Sequence, residues 1–256
     1  MYELSLFTGA GGGLLATKYL LGFKAIGYVE INAYCQAVLA QRIKDGFLDP
    51  APIFGDIRKF ISEGYAKTYQ GMVDVITGGD PCQGNSGAYT HGKIQESLAS
   101  EFIETIRIVR PTYVVRENPA KLRRHAPSPD WKFKEWIESL GYTATIAEVR
   151  ACCMGADHQR SRMFVLGQLS DPLCTGLVGD ELQKAPRKKD GLGKIGRQNR
   201  WTATPRIHRK TDGLACIVDR LRAIGNGQVP RVAEAACTVL LTKRFSCPDK
   251  SDWTSE

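Results

Sequence analysis

Apolar and polar positions alternate in short runs along the first two thirds of the chain, and helically spaced stretches separate many of them. Residues 3–7 (E-L-S-L-F) form a short apolar run; a glycine-rich turn follows, then a helical pattern from Leu14 to Leu21. A second strand is predicted over 25–29, and a helix from an Asn32 N-cap to about Lys44. Ile53-Phe54 reads as a brief strand and Val73–Ile76 as a buried one. Residues 98–109 form an amphipathic helix, 112–115 a strand, 131–140 a helix closed by Gly141, and 142–149 and 162–167 two more strands. Past Gly167 this βα rhythm stops. Residues 168–212 are rich in Gly, Pro, Lys and Arg with little periodicity. Order resumes at 214–223, and an alanine-rich helix runs to about Thr242.

A chain of 256 residues with 43% hydrophobic content suits one core-forming domain with a small appendage. No run of 18 apolar residues occurs, so no transmembrane helix is expected. The first residues lack a signal-peptide pattern. Eight scattered cysteines form no C-x-x-C pair, which fits reduced thiols in a cytoplasm better than a disulfide framework or a zinc site. The net charge is +8, unevenly spread. Residues 184–210 hold ten Lys/Arg against the single acid Asp190, a local +9, leaving −1 for the rest. A basic block on a neutral body points to a polyanionic partner, nucleic acid first, or to a solvated loop, and charge alone does not separate the two.

The candidate chemistry lies at strand ends. After the run Val73–Ile76 come Gly78, Gly79, Asp80, Pro81 and Cys82. Pro81 fixes its own φ and biases Asp80 toward an extended conformation. Cys82, beside Gln83, Asn85 and Ser86, is therefore a candidate nucleophile at the edge where α/β sheets bind ligands, or a small buried hydrophobe. The T-G-A-G-G-G stretch at 8–13 lets a backbone approach a cofactor closely, although it is not the G-x-G-x-x-G dinucleotide fingerprint. Glu30, at the tip of the second strand, suits ribose hydroxyls or a plain helix start. Asp56 is a third acid at a strand end. Residues 84–97 read as a loop of the length a lid needs.

These pieces in this order resemble the DNA cytosine-5 methyltransferases, most of all the short phage-associated or bacterial ones. The matching stretches are F-T-G-A-G-G-G at 7–13, Glu30, G-D-I at 55–57, P-C-Q-x-x-S at 81–86, E-N-P at 117–119, H-Q-R-S-R at 158–162 and G-N-G-Q-V-P at 225–230. The resemblance implies a class I S-adenosylmethionine-dependent fold: α/β, Rossmann-like, with a mostly parallel sheet and helices on both faces, plus a small irregular target-recognition region. It divides the chain into a catalytic and cofactor-binding domain at 1–167, a short basic recognition region at 168–212, and a segment at 213–256 that returns to the catalytic domain. It implies S-adenosylmethionine as cofactor, held by Phe7, Gly9, Gly11, Gly12, Glu30, Ile31, Asp56, Ile57, Pro81 and Asn226. Double-stranded DNA is the implied partner, contacted by Gln83, Ser86, Lys188, Lys189, Arg197, Arg200, Arg206 and Arg209. The expected setting is a monomer in a bacterial cytoplasm, encoded by the cell or by a phage, within a restriction-modification system or protecting a phage genome.

The implied chemistry is consistent with the residue types. C5 of cytosine is a poor nucleophile, and a thiolate adding at C6 makes C5 enamine-like. Cys82 would be that thiolate. Glu117 would serve N3, where charge develops, and Arg162 with Arg160 would serve O2. The base must leave the duplex first. A catalytically silent nucleic-acid-binding protein on the same scaffold, and the same chemistry on RNA or free nucleotides or with a modified cofactor, are the alternatives.

Four positions depart from the family habit. Asp80 and Arg116 stand where apolar residues are usual, Pro119 where valine is commoner, and Ser5 where an acid is frequent. Asp80 and Arg116 end neighbouring strands, so a partly buried ion pair between them is expected; the alternative is that Arg116 faces the cofactor pocket. Arg116 is also expected beside Glu117, with Asp80 offsetting its charge there.

Overall fold

The fold is taken from a computed structural model, which describes residues 1–81, 98–120, 129–154, 160–170 and 228–242. Among the described residues, seven strands form one sheet: β1 (Tyr2–Leu6), β2 (Lys24–Val29), β3 (Ile53–Phe54), β4 (Val75–Gly78), β5 (Tyr113–Pro119), β6 (Tyr142–Arg150) and β7 (Ser161–Leu169), in the order β3-β2-β1-β4-β5-β7-β6. The pairs from β3 to β5 are parallel, and β7 runs antiparallel to both its neighbours. The order turns back at β1, between β2 and β4. Such a switch point opens a crevice at the carboxyl ends of the strands.

Seven helices are described: α1 (Gly12–Tyr19), α2 (Ala33–Lys44), α3 (Ile57–Ser62), α4 (Tyr65–Thr68), α5 (Ala99–Val109), α6 (Pro129–Ser139) and α7 (Pro230–Thr242). The side chains of α3 to α6 and one face of the strands make one core, with Leu4, Leu6, Phe60, Phe102, Ile106, Val114 and Phe133 at its centre. The other face carries a second core in which Ala16 of α1 and Val232 and Ala236 of α7 meet Val75, Val115 and Phe164. Helices therefore cover both faces. Asn32 caps α2 as expected, its side chain accepting a hydrogen bond from the Cys35 N–H at 3.0 Å. No helix among the described residues is long and apolar enough to cross a membrane.

Several boundaries move. β5 does not stop at residue 115 but continues through Arg116-Glu117-Asn118-Pro119, because each of those positions is paired with β7, down to Pro119 opposite Arg162. β7 runs to Leu169, past the boundary expected at 167. α3 and α4 were not anticipated; both are under two turns, and Gly64 at φ +82° separates them. The loop 84–97, the basic block and the residues 213–227 lie outside the described residues.

Sequence alternation places Glu3 under α1 and α7, on the opposite face from Leu4 and Leu6. Its side chain is buried, and Thr77 Oγ1 donates to its Oε1 at 2.5 Å. Burial pushes the Glu3 carboxyl up to about 7, while the neighbouring Thr17 and Thr77 hydroxyls pull the other way. Ionisation of Glu3 thus favours unfolding: its stability is full below about pH 4.5 and is lost as pH rises through about 7. Glu3→Gln should therefore raise stability at pH 8.5 by on the order of 3 kcal/mol and change it little at pH 4. Urea unfolding of both proteins at the two pH values checks this; an equal difference at both would contradict it.

Candidate active site

At the amino end of the chain, β1 delivers Phe7 into a left-handed conformation (φ 51°) that residues other than glycine rarely adopt. The chain then turns through Gly9 (φ 58°) and Gly11 (φ 82°), the latter being the N-cap of α1, whose first residue is Gly12. This turn brings the Gly9 N–H to Glu30 Oε2 at 2.6 Å, and Glu30 Oε1 accepts from the Asn32 N–H at 2.8 Å. The Glu30 carboxylate is thereby fixed in direction at the tip of β2.

Beside it lies a cleft of about 410 Å³ lined by Ile31, Phe54, Asp56, Lys59 and Tyr65, among others. Ile31 is strongly exposed for an isoleucine, at 64%. Asp56 caps α3, its Oδ1 accepting from the Arg58 N–H at 2.9 Å. The Ile57 side chain is buried in the core, so only its main chain is left for a ligand. An oriented carboxylate next to an apolar slot with an acid at its edge fits a nucleoside: the diol of the sugar at Glu30 and the base in the slot.

The second half of the site gathers where β4, β5 and β7 end. Glu117 is buried on the α1/α7 face of β5. Its register partner on β7 is Phe164, which puts Arg162, two residues earlier, on the same face and diagonally adjacent. Arg162 Nε lies 2.5 Å from Glu117 Oε1. Burial raises the Glu117 carboxyl above the ordinary carboxylate range, against the opposing pull of Arg162 and then Arg160. Arg160 is itself lowered by burial and by Arg162. Two guanidinium groups and one carboxyl that resists ionisation thus converge at one sheet edge. Gly79, just past β4, abuts this group: a Cβ there would stand 3.0 Å from Glu117 Oε2 and 3.1 Å from Glu117 O, a tight contact that glycine avoids.

Arg116 stands apart from Glu117. Adjacent strand residues face opposite ways, and Arg116 points to the α6 side. Its Nε and Nη2 donate to Asp80 Oδ1 and Oδ2 at 2.5 and 2.9 Å, and its Nη1 donates to Asp130 Oδ1 at 3.0 Å. The ion pair expected with Asp80 is present and fully buried; the alternative of a guanidinium facing the cofactor pocket is overturned. So is the expectation that Arg116 is the cation acting on Glu117, since Arg162 and Arg160 take that role.

Pro81 is half-buried at the end of the described segment after β4. Cys82, Gln83, Ser86, Lys188, Lys189, Arg197, Arg200, Arg206, Arg209 and Asn226 lie outside the described residues. Gln228 was not singled out in the sequence. Its amide occupies the space beside Gly13 and Gly79, with Oε1 2.6 Å from where a Gly13 Cβ would stand. The only signal for it was its place in the G-N-G-Q-V-P stretch.

A family model described as C-5 cytosine-specific DNA methylase matches residues 1–234. The type II methyltransferase M1.HphI of Haemophilus parahaemolyticus is 29% identical over 214 residues, covering 75% of this chain and 55% of that protein. The type II methyltransferase M.CviJI of Paramecium bursaria Chlorella virus IL3A is 30% identical over 172 residues, covering 66% and 43%. The chain thus spans about half the length of these relatives. Among solved structures, Spodoptera frugiperda DNMT2 superposes with a TM-score of 0.53 at 17% identity, over 67% of this chain and 50% of that one. A candidate DNA modification methyltransferase encoded within an E. coli prophage gives 0.51 at 22%, over 66% and 47%. At these identities the two structures speak for the fold.

Proposed function

The chain belongs to the C-5 cytosine-specific DNA methylase family, and on that premise we propose that it methylates cytosine at C5 in duplex DNA, using S-adenosylmethionine. The observation that carries the proposal is the convergence of buried Glu117 with Arg162 and Arg160 at the sheet edge that β4 leaves toward Pro81 and Cys82.

The cofactor supplies a methyl group on a sulfonium. Glu30, the glycine turn at 9–12, Ile31 and Asp56 would hold it, as their fit to a nucleoside suggests. The chain's own residues prepare the base. The Cys82 thiolate gives an electron pair to C6, forming a C–S bond, and the C5=C6 pair is pushed toward C5 while charge grows at N3. Glu117 in its protonated form meets that charge at N3. Arg162, with Arg160, donates to O2. After C5 is methylated, loss of its proton to water restores C5=C6 and expels the thiolate. The basic block at 184–210 supplies phosphate contacts, and a recognition region this short reads few bases, which suits a short or degenerate site. The similarity to type II methyltransferases favours a role in restriction-modification; under the proposal the protein acts as a monomer in a bacterial cytoplasm, encoded by the cell or by a phage.

The test is incubation with tritiated S-adenosylmethionine and, separately, duplex DNA, RNA or dCMP. Label is expected in duplex DNA and at C5 of cytosine. Label in RNA or dCMP alone would replace the substrate, and label in none would leave a nucleic-acid-binding protein without methyl transfer.

A further inference from the structure

We propose that Arg116 is a positioning residue of the reaction: it clamps the segment that leads into Cys82 to the strand that carries Glu117. This rests on the methyltransferase reading above. Arg116 is 1% exposed, the largest of the fully buried side chains among the described residues, and its guanidinium carbon sits 4.3 Å from the centre of the Phe133 ring. It bonds Asp80 with both prongs of its fork and Asp130 with a third nitrogen. Asp130 Oδ1 also accepts from Asn118 Nδ2 at 3.1 Å. The chain of contacts therefore runs Asp80–Arg116–Asp130–Asn118.

Where its members stand is the substance of the proposal. Asp80 lies two residues before Cys82 and beyond the last ladder pair of β4, Gly78 opposite Arg116. Arg116 and Asn118 flank Glu117 on either side. Because β5 alternates, both flanking side chains point to the α6 face while Glu117 points to the other. The network thus holds the backbone on both sides of Glu117 from the face opposite its carboxyl. A bidentate fork fixes direction as well as distance, which a lysine ammonium does not.

Stability alone does not account for it. One guanidinium faces two carboxylates at 1–4% exposure, and a buried set of this kind is commonly replaced by apolar side chains at no loss of stability. Burial pushes the Asp130 carboxyl up, with Arg116 and Asn118 pulling it back. The arrangement is costly as packing and makes sense as geometry.

The test is Arg116→Lys in the full chain, with circular dichroism to confirm folding. Steady-state kinetics should show kcat lowered by about 10- to 100-fold, the loss that a small misplacement of reacting groups produces. KM for S-adenosylmethionine and for DNA should stay within about threefold, a split that a general loosening of the fold does not give. Should the lysine variant not fold, Asp80→Asn serves: it keeps the size and one acceptor, and the same split with a smaller loss is expected. A folded variant with kcat within about twofold of wild type, or one impaired only in KM, overturns the clamp. Wild-type protein that transfers no methyl group overturns the functional reading instead, so the two failures are told apart by the wild-type control.

Discussion

Cys82→Ser is expected to lower methyl transfer by roughly a thousandfold or more, the scale on which removing a covalent nucleophile acts in other enzymes. The reason is the electron pair. A thiol with an ordinary pKa of about 8.5 supplies some thiolate near neutral pH. A serine hydroxyl supplies essentially no alkoxide, and its oxygen is a far weaker nucleophile toward C6 of cytosine. Binding should survive, since the basic block and the cleft beside Glu30, proposed for DNA and cofactor, lie elsewhere in the chain. The check is single-turnover transfer of tritiated methyl alongside an electrophoretic binding assay. A serine protein that keeps a tenth of the wild-type rate would remove Cys82 from the chemistry.

Glu117→Gln should reduce kcat by about a hundred- to ten-thousandfold, the range for losing a positioned general acid. Glutamine keeps the shape and offers an N–H, but it has no proton to give at N3. The pH profile tells more. Burial holds the Glu117 carboxyl above the ordinary carboxylate range while Arg162 and Arg160 oppose it. As pH rises through that raised value, the protonated form that meets N3 is lost. Wild-type kcat/KM should therefore climb as Cys82 ionises and fall as Glu117 does, giving a bell. In the glutamine variant the falling limb should vanish and the rising one remain. Replacing Arg162 by leucine removes the larger opposing charge, so the Glu117 carboxyl should ionise at higher pH than in wild type. An unchanged falling limb in the glutamine variant would assign it to another group.

Much of the fold and part of the site could be read from residue order. The alternation of apolar runs located the seven strands of the described residues, and the Asn32 cap and the glycine turn stood where composition placed them. The departures Asp80 and Arg116 pointed to their own pairing because two charges in apolar positions at neighbouring strand ends need each other. What could not be read depends on contacts between distant parts of the chain. E-N-P looks like a polar turn, and is a strand only because β7 pairs with it. Asp130 looks like an ordinary acid in the first turn of a helix, yet it bonds a guanidinium and an amide from β5. Glu3 sits in a strand too short to reveal by period that α7 covers it. Arg162 stood out only by its place in the H-Q-R-S-R stretch, whereas its pairing with Glu117 required the β5–β7 register.

The central claim is a covalent bond between Cys82 and C6 of cytosine. A duplex carrying 5-fluorocytosine at the methylated position tests it most directly, because fluorine cannot leave C5 as a proton and the adduct is trapped. With wild-type protein and S-adenosylmethionine, a complex that survives denaturation is expected, and mass spectrometry of its digest should place the linkage on Cys82. A linkage on any other residue, or no stable complex from a protein that methylates the unfluorinated duplex, would contradict the account.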